Sequence, residues 1–270
     1  LTTLLYHVDA FTRSAFGGNP AAVVLLDEER PASWMQSVAA EMNVSETAFA
    51  RPLPDGTFSL RWFTPSVEVP LCGHATLAAG AVLLGEKVAQ GAAVFQTASG
   101  PLMVQPHALG YALSMPSFAV EATRAPELLA YLNVATLDVL VSPTSRNYLL
   151  RVTSPEVVQG MNPNPLELFS LPNPHDVQGL IVTAAVDDPS DDQPHFVSRY
   201  FAPWVGIPED PVTGSAHAVL GPYWGEKLGL TTMRARQLSP RGGDLQIELD
   251  LPRVLVVGAC VILSRGFWLA

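Results

Sequence analysis

The chain has 270 residues, 48% of them hydrophobic, and its 25 acidic against 15 basic side chains leave a formal charge of −10. That length accommodates two domains with separate cores. The acidic balance argues against nucleic acid or an anionic membrane surface as partner, because both require a positive patch. A local basic site for a small anion stays open, with Arg61, Arg199 and Arg241 as its candidates.

The opening string Leu1-Thr2-Thr3-Leu4-Leu5 lacks the basic region and small-residue cleavage site of a secretory leader. The longest apolar stretch, Leu71 to Leu84, holds a histidine and is too short for a membrane span, which needs about 20 residues. Cys72 and Cys260 lie far apart with no CxxC or metal-ligand spacing, so they read as reduced thiols of a cytoplasmic protein, Cys260 as core.

In chain order, Val23-Val24-Leu25-Leu26 is a short apolar run bounded by Asn19-Pro20 and Asp27, hence a strand. Pro31 opens a helix with Trp34, Val38 and Met42 on one face. Thr47 to Arg51 and Phe58 to Phe63 read as strands around the turn Pro54-Asp55-Gly56. The helix after Gly73 is apolar on every side and must be buried on every side. In the second half, strands fall at Tyr148 to Val152, Leu180 to Ala184, Phe196 to Phe201, Asp244 to Leu249 and Val254 to Leu263. The passage from Ser154 to Pro174 reads as partly irregular, and Pro222 predicts a kink or an early end in the helix after Gly214.

The halves repeat each other. Arg61-Trp62-Phe63-Thr64-Pro65 matches Arg199-Tyr200-Phe201-Ala202-Pro203, and Glu68-Val69-Pro70-Leu71-Cys72-Gly73-His74-Ala75 matches Glu209-Asp210-Pro211-Val212-Thr213-Gly214-Ser215-Ala216, an offset of 209 − 68 = 141. Gly100 to Val104 resembles Gly243 to Ile247 at a similar spacing. The expected architecture is α+β, with two pseudo-symmetric halves, 1–118 and 119–270, each a barrel-like and mostly antiparallel sheet around a central helix. The last strand is free to pack back on the first half.

Each repeat sets a glycine turn before a helix, Cys72-Gly73-His74 and Thr213-Gly214-Ser215. Helix starts carry unpaired N–H groups and the positive end of the dipole, which suits a carboxylate, and two such ends facing each other would grip an anionic substrate. Glu46, entering a strand beside apolar neighbours, is the candidate for a buried carboxyl with a raised pKa that could shuttle a proton. Asp210 and His74 are the titratable groups at the turns. Cys72 is a possible nucleophile, but two residues from His74 at a helix start the side chains are expected to diverge. No GxxxxGK[ST], GxGxxG or HExxH string occurs, and Gly17-Gly18-Asn19-Pro20 is a turn, so neither cofactor nor metal is expected.

These strings resemble the PhzF (phenazine biosynthesis-like) family, within the diaminopimelate epimerase-like fold. The resemblance rests on Val8 to Thr12, Gly18-Asn19-Pro20-Ala21, Asn43-Val44-Ser45-Glu46-Thr47, Arg61 to Pro65, Glu68 to Thr76, Ser198 to Ala218 and Arg241-Gly242-Gly243. It implies a site between pseudo-symmetric halves, with Glu46 as proton shuttle, His74 and Asp210 as further catalytic residues, and Ser215 binding substrate beside backbone donors at Gly73 and Gly214. Thr213 and Asn19, within the same strings, complete the substrate-binding set. Related epimerases use a cysteine at each turn; Thr213 stands at the second here, so one carboxyl acting as acid and base is expected instead. The resemblance also implies a homodimer.

The function expected is therefore cofactor-independent isomerisation, a proton moved within a small carboxylate. The alternatives are a protein-interaction scaffold that keeps the fold, and a Cys72 thiol hydrolase.

Overall fold

The repeat seen in the sequence is a repeat of strand pairing. A computed structural model describes residues 3–190 and 192–269. It divides the chain into one unit of Leu1–Met115 with Leu255–Ala270 and a second of Pro116–Val254. Leu1 and Thr2, the first residues of the opening string, lie outside the described residues.

The first unit runs β1 (Thr3–Ala10), β2 (Asn19–Leu25), α1 (Ala32–Met42), β3 (Glu46–Pro52), β4 (Phe58–Phe63), β5 (Glu68–Val69), α2 (Gly73–Gly85), β6 (Ala93–Gln96), β7 (Leu102–His107) and β8 (Gly110–Pro116). The second begins with β9 (Glu121–Ala122), α3 (Pro126–Leu132), β10 (Thr136–Ser142), β11 (Asn147–Val152), α4 (Pro155–Gly160), α5 (Pro165–Phe169), β12 (Gly179–Ala185) and β13 (Phe196–Ala202). It continues with β14 (Ile207–Asp210), α6 (Gly214–Leu228), β15 (Thr232–Gln237) and β16 (Gly243–Asp250), and from Leu255 onward most of β17 (Arg253–Gly258) and all of β18 (Cys260–Trp268) belong to the first unit.

In the first unit β1–β2 is antiparallel, β2–β3 parallel, β3–β4 antiparallel, β4–β6 parallel and β6–β7 antiparallel. The same alternation runs through β10–β11, β11–β12, β12–β13, β13–β15 and β15–β16. Two parallel strands need a long crossover between them. In each unit the second parallel pair is joined through the helix that follows the glycine turn, so the repeat fixes where each helix begins.

Helix α2 is buried without a break from Gly73 to Leu83 and packs on β1, β2, β3, β6 and β7. The sheet passes so close that a Cβ at Gly80 would lie 2.4 Å from Val104. Helix α1 lies outside, burying Met35, Val38 and Ala39 with half-buried Trp34 and Met42 against Val24, Leu26, Phe49 and Phe63. Helix α6 packs on β15 and β16, and its Trp224 stacks on Phe196 while its indole N–H donates to Thr183 Oγ1 at 3.0 Å.

Of the kink or early end expected at Pro222, the early end does not occur: helix α6 continues to Leu228, where Gly229 closes it in the left-handed conformation. The carbonyl that proline deprives of its helical partner, Ala218 C=O, accepts from Phe118 N–H at 3.2 Å instead. The single strand expected from Val254 to Leu263 is two, separated at Ala259. Gly258 sits against the Phe11 ring, 2.4 Å from where a Cβ would stand, and β18 then pairs antiparallel with β1 from Ala10↔Cys260 to Thr3↔Trp268. Cys260 is therefore half-buried and not core. Among the described residues no helix is long and apolar enough to cross a membrane.

Candidate functional site

In the first unit, three short segments bring the predicted residues together. Glu46 is the first residue of β3, after a left-handed turn at Asn43 that ends α1. Its strand lies parallel to β2 with Ala21 opposite Glu46, which sets Asn19 nearby. His74 is the second residue of α2. Glu46 and His74 are 7% and 3% exposed, so any proton passed between them is shielded from water.

His74 Nε2 lies 3.2 Å from Glu46 Oε2, and His74 Nδ1 lies 3.0 Å from the Asn19 amide nitrogen. A ring nitrogen that accepts from the Asn19 amide leaves the neutral imidazole's proton on Nε2, beside the Glu46 carboxyl. The Nε2–Oε2 approach is not aligned as a full hydrogen bond, but its distance is within reach for proton transfer. Burial pushes the His74 pKa down to about 3. The histidine is thus neutral at ordinary pH.

Cys72 corrects an expectation. Its Sγ lies 3.6 Å from His74 Nδ1 rather than diverging from it. Helical spacing does not govern this pair, because Cys72 precedes the helix in extended conformation, φ −144° and ψ 112°. Glu46, Cys72 and His74 offer donor atoms within 4.8 Å of one another, a set chemically suited to a soft divalent ion. The glutamate approaches Nε2 and the thiol Nδ1, so a metal on either nitrogen would have to draw one ligand around the ring.

In the second unit Asp210 closes β14, and Thr213 and Gly214 are buried at the start of α6 with Ser215 half-buried beside them. Thr213 Oγ1 donates to Asp210 Oδ2 at 2.5 Å. Two buried residues here were missed by the sequence reading. His217 places Nδ1 2.8 Å from the Thr213 carbonyl, and burial lowers its pKa to about 4. Its repeat counterpart Thr76 makes the same bond to the Cys72 carbonyl at 2.5 Å, a pairing that the 141-residue offset could have exposed. Gln237 bonds Thr213 from β15, 24 residues along the chain, where no local pattern marks it.

Two of the three arginines that were candidates for an anion site are already committed to glutamates. Arg61 makes a two-pronged pair with Glu68 at 2.7 Å for both bonds, and its repeat counterpart Arg199 does so with Glu209 at 2.6 and 2.8 Å. Arg199 also donates to the carbonyls of Gln159, at 3.1 Å, and of Met161. Arg241, the third, is half-buried in the segment between β15 and β16.

Comparison with known proteins places these residues in a lineage. Residues 8–266 match the family model PhzC-PhzF, phenazine biosynthesis-like protein. The chain is 45% identical to an uncharacterized isomerase of Halalkalibacterium halodurans over 98% of both chains. It is 41% identical to the phenazine biosynthesis-like domain-containing protein of Homo sapiens over 97% of both. The crystal structure of a PhzF-family phenazine biosynthesis protein from Enterococcus faecalis superposes with a TM-score of 0.91 at 39% identity, covering 100% of both chains. The paired turns, the duplicated topology and these matches agree: the chain belongs to the phenazine biosynthesis-like (PhzF) family.

Proposed function

We propose that the protein is a cofactor-independent isomerase that moves a proton within a small carboxylate, with Glu46 as the group that takes and returns it. The observation that carries this reading is the buried Glu46 carboxyl 3.2 Å from His74 Nε2 at the start of α2. A carboxyl in a shielded site can act as base and then as acid without metal or coenzyme. A neutral imidazole beside it can accept or donate without adding a charge. Gly73 in the first unit, and Thr213, Gly214 and Ser215 in the second, stand at helix starts whose N–H groups suit an anionic end or a developing oxyanion, and Asp210, at the end of β14, is a second acid that orients the substrate or assists proton traffic. Isomerase is also the name carried by the Halalkalibacterium halodurans relative and by a 40% identical relative in Pseudomonas aeruginosa.

The test is incubation with a panel of small cyclic and α-substituted carboxylates in heavy water, followed by NMR. Deuterium should enter one compound, and Glu46→Gln should cut its uptake by about 10²-fold or more while the melting temperature is kept. Uptake unchanged in Glu46→Gln would end this reading.

A second reading has an observation of its own, the Cys72 thiol 3.6 Å from His74 Nδ1, which is the pairing of an activated nucleophile. It ranks second because the Asn19 amide, at 3.0 Å, competes for that nitrogen. Alkylation of Cys72 that abolishes turnover, with Glu46→Gln still active, would reverse the ranking.

A further inference from the structure

We infer that Gln237 is a positioning residue that orients the Asp210 carboxylate through the Thr213 hydroxyl. This rests on the reading that Asp210 belongs to the reacting site, although its test does not require that reading. Gln237 is fully buried at the end of β15 and makes three bonds to the segment that leads into α6. Its Oε1 accepts from Thr213 N–H at 2.9 Å. Its Nε2 donates to the Asp210 carbonyl at 2.7 Å and to Thr213 Oγ1 at 3.2 Å.

The directions of these bonds are not interchangeable. A backbone N–H can only donate, so the Gln237 carbonyl oxygen must face Thr213 N–H, and the amide cannot be flipped. Its NH2 group then faces the Asp210 carbonyl, which can only accept, and the Thr213 hydroxyl. A hydroxyl holding a donor on one lone pair has its single proton left to give, and the atom at 2.5 Å is Asp210 Oδ2. One amide thereby sets the polarity of the chain Gln237→Thr213→Asp210 and presents Asp210 as an acceptor. Ser239 Oγ, donating to the Pro211 carbonyl at 2.7 Å, fixes the next residue of the same loop. The backbone is therefore held at 210, 211 and 213, and the hydroxyl that Gln237 orients points at the Asp210 carboxylate.

The test uses the full chain without substrate, labelled at threonine, and NMR measurement of water exchange at the Thr213 hydroxyl and the Thr213 amide. The wild type should show a slowly exchanging Thr213 hydroxyl proton, and Thr213→Ser, labelled at serine instead, should keep one at the same position. Gln237→Glu, read at a pH where the new carboxyl is ionised, keeps an acceptor for Thr213 N–H but loses both donors. In it the hydroxyl should exchange up to about tenfold faster, the weight of one hydrogen bond, while the amide keeps its protection. Gln237→Met should release both. A Gln237 that merely braces the loop would speed hydroxyl and amide together in Gln237→Glu, and that result overturns the inference. So does a Thr213 hydroxyl that exchanges at the rate of an exposed threonine in the wild type. Because no turnover is measured, these outcomes are independent of Glu46→Gln.

Discussion

His74 Nε2 and Glu46 Oε2 lie 3.2 Å apart although 28 residues separate them in the chain, and neither is more than a tenth exposed. A histidine buried this way is held neutral, and that neutrality has a consequence for stability. The unfolded chain takes up a proton on His74 and on His217 near pH 6.5, whereas the folded protein resists until about 3 and about 4. Between those limits the unfolded state binds more protons, so stability rises with pH and is lost as pH falls below about 6.5. Each histidine contributes a slope of up to about 1.4 kcal/mol per pH unit in that window. Urea denaturation should show a steep loss between pH 6.5 and 4.5, roughly halved in His217→Gln. A flat profile would contradict the burial of both rings.

The two arginine–glutamate pairs occupy repeat-related positions but differ in burial, 9% exposed at the Arg199 side chain against 36% at Arg61. Breaking a buried pair strands a charge and costs about 3–5 kcal/mol, whereas an exposed pair is worth about 0–1 kcal/mol. Arg199→Met should therefore fall in the first range and Arg61→Met in the second. Denaturant midpoints of the two variants check this, and equal losses would show that burial is not what separates the pairs.

Gly80 and Gly85 both lie in α2, but only the first meets the sheet. A Cβ at 80 would approach Val104 to 2.4 Å, while one at 85 meets nothing within 4 Å. Gly80→Ala should cost about 1–3 kcal/mol through overpacking. Gly85→Ala should stabilise by up to about 1 kcal/mol through helix propensity. Thermal unfolding separates them by sign.

Pro222 interrupts α6, and replacing an interior helical proline by alanine would ordinarily return about 3 kcal/mol. The carbonyl that a new N–H at 222 would seek, Ala218 C=O, already accepts from Phe118 N–H. Pro222→Ala should therefore gain less than about 1 kcal/mol. A gain near the full value, read from denaturant midpoints, would mean that the Phe118 bond contributes nothing.

Much of the fold could be read from the residues because the information was local or duplicated. The apolar run around His74 with no polar face predicts a helix surrounded by strands, and α2 is buried from Gly73 to Leu83. The offset between Glu68 and Glu209 predicts matching units, and the pairing order repeats strand for strand. Where local rules met a tertiary partner, they failed. Pro222 does not end its helix, and Phe118 takes up the carbonyl it leaves; the strand beyond Val254 is broken at the contact of Gly258 with Phe11, and Cys72 turns toward His74 because its own backbone is extended.

Residue types, their spacing and their repetition determined which groups were available: a carboxyl at Glu46, an imidazole at His74 and two glycine turns at helix starts. Only the tertiary structure decided what each group touches. The parallel pairing of β2 with β3 brings Asn19 near Glu46, and β15 carries Gln237 to Thr213. The physical reason is that hydrogen bonds and burial act over a few ångströms of space regardless of distance along the chain, and no pattern of neighbours encodes which distant strand will supply the partner.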